Sequence, residues 1–285
     1  MKNAIYFKAL QKKLHFRNPK SIIIFNEEYL QTYQILDCDL IEAQRYILNL
    51  QEKGIQYTYP GHVMYPEAFL KMLEPPLFFE YLGTPCWMNG ETLSVVGSRK
   101  IHPLTQQWIE HELSCFVSLK PDVVLVSGGA EGVDQCVHLL SIKKQRPTIV
   151  ILPCGLNQIF PISLRNIIHH VLQNGGCILS EFESYQTVRK SYFFFRNRLI
   201  AALSSIIFVV QAERKSGTFL TVHHALQNGR CVITLPAHPM MSEFSGNRHL
   251  IKEGAFFVCD KNDLLHFWDA ENWPGRGVTN VQINP

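Results

Sequence analysis

No apolar run in the sequence approaches the roughly 20 residues needed to cross a bilayer; the longest stretch, Leu199–Val210, is broken by Ser204 and Ser205. The N-terminus scatters Lys2, Lys8, Lys12, Lys13, Arg17 and Lys20 among apolar residues, so it lacks the continuous apolar segment of a secretory signal. Among the 8 cysteines there is no Cys-x-x-Cys pair, which argues against a zinc ribbon or a redox dithiol. Most lie in apolar segments, such as Cys231 in CVITL, as small buried hydrophobes do in a reducing compartment. His169-His170 and His223-His224 have no carboxylate or cysteine at ligand spacing, so no metal site is expected. No GxGxxG follows the first strand candidate and no GxxxxGK[ST] occurs, which disfavours a dinucleotide cofactor and excludes a Walker-type ATPase. Charge is scarce at 18%, and 17 glycines with 15 prolines are too few for a collagen-like or low-complexity chain. What remains, at 285 residues and 46% hydrophobic, is a cytoplasmic globular protein with no cofactor and a core large enough to need no staples.

The chain divides by pattern. Residues 1–83 read as a small, mainly helical module and connector: Leu40, Ala43, Ile47 and Leu50 recur at helical spacing, and Gly54 then stops the helix. Pro60, Gly61, Pro66, Pro75, Pro76 and Gly83 punctuate the connector. From 84 to 268, short apolar segments (93–96, 123–127, 148–152, 177–180, 206–210, 231–235, 255–259) alternate with helix candidates near 103–120, 131–145, 163–174, 195–204, 216–228 and 247–253. That alternation predicts an α/β fold: a doubly wound, mostly parallel Rossmann-like sheet covered on both faces. Residues 269–285 read as a tail.

In such sheets ligands bind beyond the carboxyl ends of the strands. The residues found there are Gly97-Ser98-Arg99, Ser127-Gly128-Gly129-Ala130, the segment Gln211–Thr218 with Lys215-Ser216-Gly217-Thr218, and the Ser245-Gly246-Asn247 turn. Small, Gly-rich loops at helix N-termini predict anion binding through backbone N–H groups. The net charge is +3, but residues 185–252 carry nine basic side chains against two acidic ones, a local surface for a polyanion. Within it, Tyr192-Phe193-Phe194-Phe195-Arg196-Asn197-Arg198 sets aromatic rings beside arginines, which suits single-stranded nucleic acid. At least two of the three phenylalanines are expected in the core. Arg196 and Arg198, two positions apart, cannot share a helix face, so one is expected to meet ligand and the other an acid such as Glu181. Asp134 and Glu181 are expected to order loops or pair with arginines rather than act as general acid and base.

These motifs resemble the DNA-processing protein A family (DprA, also called Smf). The resemblance rests on Tyr65-Pro66, Pro75-Pro76, Leu82-Gly83, Val96-Gly97-Ser98-Arg99, Ser127–Asp134 with His138 a turn later, and Phe160-Pro161. It continues through Leu179-Ser180-Glu181, Phe195–Ala201, Ser216-Gly217-Thr218, Gly229-Arg230 and Ser245-Gly246-Asn247. It implies a non-enzymatic recombination mediator used in natural transformation by competent cells. Such a protein binds and protects incoming single-stranded DNA, loads a RecA-type recombinase, and self-associates as a homodimer through its Rossmann-like domain. Many members carry a basic residue after Phe160-Pro161; this chain has Ile162 there, and Arg165 is the candidate substitute. The winged-helix domain that ends some members is not expected in the short tail. The alternative is a nucleoside 5′-monophosphate phosphoribohydrolase of the LOG type, whose PGGxGTxxE segment supplies a catalytic Glu; here Thr221 stands at that position, and a neutral hydroxyl cannot do that acid–base step.

Overall fold

The computed structural model describes residues 1–14 and 32–269. Residues 15–31 of the expected N-terminal module and 270–285 of the expected tail lie outside that range. The strands are β1 Gln56–Thr58, β2 Phe79–Gly83, β3 Glu91–Gly97, β4 Val123–Ser127, β5 Thr148–Ile151, β6 Cys177–Ser180, β7 Ile206–Gln211, β8 Cys231–Thr234 and β9 Phe256–Phe257. They form one nine-stranded sheet in the order β1-β2-β6-β5-β4-β3-β7-β8-β9. β3 to β9 are mutually parallel, with Leu93 of β3 opposite Leu125 on one side and Ile206 on the other. β2 runs antiparallel to β6 and β1 antiparallel to β2.

The helices are α1 Lys2–Leu14, α2 Asp37–Glu52, α3 Glu67–Leu70, α4 Pro103–Trp108, α5 Ser114–Leu119, α6 Val133–Lys143, α7 Leu164–Gln173, α8 Lys190–Leu203, α9 Thr218–Gln227, α10 Ser245–Lys252 and α11 Lys261–Asp269, with a wide turn at Ile109–Leu113 joining α4 to α5. Alternate strand residues serve opposite faces. Val124 and Val126 pack with Leu199, Ile200, Val222 and Leu250 of α8, α9 and α10. Val123 and Leu125 pack with Phe116, Val137 and Leu264 of α5, α6 and α11. Every side chain of β4 is buried, which a strand with a wet face would not tolerate. On α7 the apolar stripe Leu164, Ile167, Ile168 and Val171 follows the helical repeat and seals one end of the sheet. The fold is therefore the α/β, doubly wound, mostly parallel Rossmann-like one that the alternation predicts. Among the described residues no helix is long and apolar enough to cross a membrane.

Two features differ from expectation. The connector before Gly83 supplies β1 and β2, which extend the sheet, although Pro and Gly crowd both sides of segments three and five residues long. α8 begins at Lys190, five residues before the expected start, because the aromatic run Tyr192–Phe195 hides the helical period. The N-terminal helices share the sheet's core: Ala4, Ile47 and Leu50 pack with Val150, Ile178 and Val171, beside a small Phe7–Leu10–Leu77 cluster.

On β2, Glu80 is 1% exposed. The Tyr46 hydroxyl donates to its Oε1 at 2.5 Å, whereas Oε2 has no hydrogen-bond partner among the described residues. Burial pushes the Glu80 carboxyl up to about 7 against the opposing charge of Lys8. Between its ordinary value of 4.5 and about 7 the folded chain keeps a proton that the unfolded chain releases, so this contribution to stability declines as pH rises through that window. Glu80→Gln removes the titration. Urea melts should show the variant more stable than the parent at pH 8 by on the order of 2–3 kcal/mol, with the gap closing toward pH 5. A gap independent of pH would show that Glu80 does not titrate there.

Candidate functional site

The chain leaves β3 toward β4 on one side and returns from β6 to β7 on the other, so the strand order reverses between β3 and β7. Connections diverging from adjacent strands leave a crevice at their carboxyl ends. A cleft of about 400 Å³ opens there, lined among others by Ser98, Arg99, Asn197, Ser216, Gly217 and Thr218. A second cavity of about 220 Å³ adjoins it, walled by Gly128, Pro153, Phe160 and Pro161. Arg99, Ala130, Phe193 and Arg196 line both and form the partition.

The partition is built from the glycines upward. Gly132 has φ of +81°, and a Cβ on it would lie 2.4 Å from the Ser98 carbonyl oxygen and 2.5 Å from that of Arg99. Only glycine admits this approach, which lets the Val133 N–H donate to Ser98 at 3.1 Å and leaves the Arg99 side chain exposed at the rim. A Cβ on Gly128 would fall 1.0 Å from Arg196 Nη1, so the guanidinium occupies the space of the missing side chain. Asp134 ties these parts together. Its Oδ2 accepts the N–H groups of Gly128 (3.2 Å) and Ala130 (3.3 Å) and lies 3.8 Å from Arg196 Nη1. Burial pushes the Asp134 carboxyl up and the Arg196 guanidinium down, and the charge of each opposes the shift of the other. His138, one turn on, is driven to about 3 by burial and by Arg196, so it is neutral beneath the site.

The Ser127–Ala130 loop therefore differs from the expected anion cradle. The amides of Gly128 and Ala130 face Asp134, and the Ser127 hydroxyl donates to Val95 at 2.7 Å. Gly129 has φ of +73°, and a Cβ there would lie 2.5 Å from Leu164 Cδ2, so a larger residue would disturb packing before it reported on ligand access.

Arg198 is the arginine that meets Glu181, and Arg196 faces a second acid, Asp134. Arg198 is buried and its Nη2 reaches both oxygens of Glu181, at 2.6 and 2.5 Å, which takes it out of the cleft; its assignment to the ligand is corrected. Arg196 lines the cleft, and its Nε has no hydrogen-bond partner among the described residues. Asn247 is also corrected. It is fully buried, its Oδ1 accepts the Ala212 N–H at 2.8 Å, and its Nδ2 donates to Val210 and Thr234 at 3.0 and 2.9 Å, so it ties α10 to the strand ends. Lys215 and Arg165 are exposed and line neither cavity. Gly97 packs beneath, where a Cβ would meet Val133 Cγ2 at 2.7 Å.

None of the three phenylalanines is in the core. Phe194 is 43% exposed, and Phe193 and Phe195 are half-buried. Phe193 carries two cations, Arg99 Cζ at 5.3 Å and Arg196 Cζ at 5.7 Å from its centroid, and Phe160, 41% exposed, meets it edge-on at 6.4 Å. Phe160, Phe193 and Glu213 line these cavities although the sequence assigned none of them individually to the ligand; Phe193 stood there only within the aromatic run, and Phe160 only within the Phe160-Pro161 motif.

Across the cleft, Ser216-Gly217-Thr218 opens the ten-residue helix α9, whose N-terminus favours negative charge. The Ser216 hydroxyl is buried without a hydrogen-bond partner among the described residues. Gly217 has an ordinary φ of −61° and nothing within 4 Å of where a Cβ would stand. The fold does not itself require glycine there.

A doubly wound α/β sheet with an arginine- and ring-lined cleft at its switch point defines a Rossmann-like protein. The model of the family "DNA recombination-mediator protein A" matches residues 56–269, and the chain belongs to that family. It is 28% identical over 201 residues to DNA processing protein DprA of Streptococcus pneumoniae, covering 70% of each chain. The X-ray structure of S. pneumoniae DprA superposes with a TM-score of 0.74 at 22% identity, over 93% of this chain and 92% of that one. A Helicobacter pylori DNA processing protein A, described for its unique single-stranded DNA binding mode, gives 0.66 at 29% identity, over 75% of this chain and 95% of that one. Protein Smf of Synechocystis sp. is 30% identical over 75% of this chain, which spans 54% of that relative's length.

Gly217→Ala separates fold from ligand at this site. The melting temperature should be unchanged or slightly raised, because the backbone already suits alanine. Affinity for a single-stranded oligonucleotide should fall about tenfold, the effect of losing one charge-assisted hydrogen bond of ~1.5 kcal/mol. Unaltered affinity would show that no phosphate reaches the α9 N-terminus.

Proposed function

We propose that this protein is a non-enzymatic, single-stranded DNA-binding recombination mediator that protects incoming DNA and loads a RecA-type recombinase in natural transformation, working in the cytoplasm as a homodimer. The observation that carries the reading is Phe193 with the Arg99 and Arg196 guanidiniums over its ring at the partition of the two cavities. Such guanidiniums can hold phosphates, and their flat faces together with the neighbouring rings offer stacking surface to bases. We assign the phosphate contacts to Ser98, Arg99, Asn197 and Ser216-Gly217-Thr218, which line the cleft, with Lys215 and Arg165 as outlying contacts. The binding mode described for the H. pylori relative supports the choice of ligand.

The phosphoribohydrolase alternative needs an acid on the Gly-Thr loop. Thr221 occupies that place, and of the acids lining the 400 Å³ cleft Asp134 is engaged by two amides and Arg196, while Glu213 is on the opposite side of Gly217 in sequence from the missing Glu.

In gel shifts the purified protein should retain single-stranded oligonucleotides in preference to duplex ones. Equal or absent binding overturns the reading. Arg99→Ala should weaken single-strand binding evenly across sequences and shallow the log–log salt dependence by roughly 0.7 per lost phosphate contact. An unchanged slope would make Arg99 a structural residue.

Light scattering should give about twice the 32.8 kDa chain mass. Incubation with AMP should release no adenine above background. A strict monomer would remove the homodimer, and adenine release abolished by Asp134→Asn would replace the mediator with a hydrolase.

A further inference from the structure

The N-terminal helices grip a loop that lies outside both cavities but leads into α8. This loop, 181–186, comes directly after β6. Gln11 of α1 sends its Nε2 to the Phe78 carbonyl at 2.6 Å and to the Glu181 carbonyl at 3.1 Å. Lys8, 2% exposed, pairs with Glu183 at 3.1 Å, donates to Gln11 Oε1 at 3.2 Å, and lies 4.3 Å from the centroid of the Tyr46 ring. The Tyr46 hydroxyl of α2 accepts the Ser184 N–H at 2.8 Å and gives its own proton to Glu80. From the other side Asn157 and Gly155 donate to the carbonyls of Ser184 and Gln186, and a Cβ on Gly155 would lie 2.0 Å from the Glu183 carbonyl oxygen. The loop is thus pinned on two sides, and its first residue, Glu181, holds Arg198 in the middle of α8.

Polar groups this deeply buried are costly unless satisfied, so the network is expected to have few alternative arrangements. α8 also carries Phe193 and Arg196. We propose that the α1–α2 pair is a clasp that sets the position of α8, with Tyr46 as a positioning residue, and that it thereby tunes single-stranded DNA affinity without touching the DNA. The DNA part of this proposal rests on the function proposed above; the clasp itself does not.

The test uses the full chain with Tyr46→Phe, which keeps the ring over Lys8 and removes the hydroxyl that holds Ser184. Hydrogen exchange should accelerate at the Ser184 amide and along 190–198. Single-strand affinity should drop by about three- to tenfold with the salt slope unchanged, because no phosphate contact is lost. Ile47→Val, which trims a methyl group from the buried face of the same helix, should leave affinity and exchange at 190–198 unaltered; a parallel loss there would reduce Tyr46 to a general stability residue. Should Tyr46→Phe fail to fold, Glu183→Gln loosens the same loop through Lys8 and is expected to act in the same direction. Exchange confined to Ser184, or faster exchange with undiminished affinity, overturns the positioning role. A shallower salt slope overturns it too, by showing that α2 meets DNA itself. If the unsubstituted protein binds no single-stranded DNA, the functional reading fails, while the exchange data still decide whether the clasp orders α8.

Discussion

The site depends on one buried carboxylate. Asp134 accepts two loop amides and faces the Arg196 guanidinium, which itself fills the space above Gly128. Each member would be costly alone: an unpaired buried ion carries a penalty of several kcal/mol, and removing one partner of such a pair typically costs about 3–5 kcal/mol. Together they convert a Gly-rich turn, which could adopt many shapes, into a rigid wall with a cation on its surface. The same arrangement turns the amides of Gly128 and Ala130 toward Asp134, the group that holds the arginine, rather than toward a phosphate.

Electrostatics in the cleft depend on which groups are engaged in the interior. Arg198 is neutralised there by Glu181, and Asn247 directs its amide to strand-end carbonyls. The arginines at the cleft are Arg99 at the rim and Arg196 behind it, the latter offset by Asp134, both beside Phe193. Opposite them the N-terminus of α9 adds a fixed partial positive charge, with a glycine that leaves its approach open. On the proposed function, a polyanion with flat bases would meet cations, a ring and a helix terminus within one crevice.

The sheet places these groups together because its order reverses between β3 and β7. Gly97-Ser98-Arg99 ends β3 and Gln211–Thr218 extends from the end of β7, so segments more than a hundred residues apart become neighbours; the Ser98 N–H donates to the Gln211 carbonyl at 2.8 Å. The N-terminal helices extend the same core and reach the loop that feeds α8, which makes them part of the scaffold of the site.

The sequence by itself determined the fold class and most of the parallel sheet. Runs such as VVLVS and CVITL are apolar at nearly every position, and that continuity is a local property which only a strand covered on both faces can satisfy. It also marked the strand-end segments, and it foresaw that one of Arg196 and Arg198 would meet an acid. It missed β1 and β2, whose short segments carry no pattern among the prolines, and it placed in the core at least two of Phe193, Phe194 and Phe195, none of which is buried there. Which arginine faced Glu181, where the Asp134 carboxylate turned, and that Asn247 looked inward were decided by tertiary structure alone. A hydrogen-bond partner is chosen by proximity after folding, between residues whose separation along the chain leaves no periodic trace, whereas apolar pattern is written residue by residue.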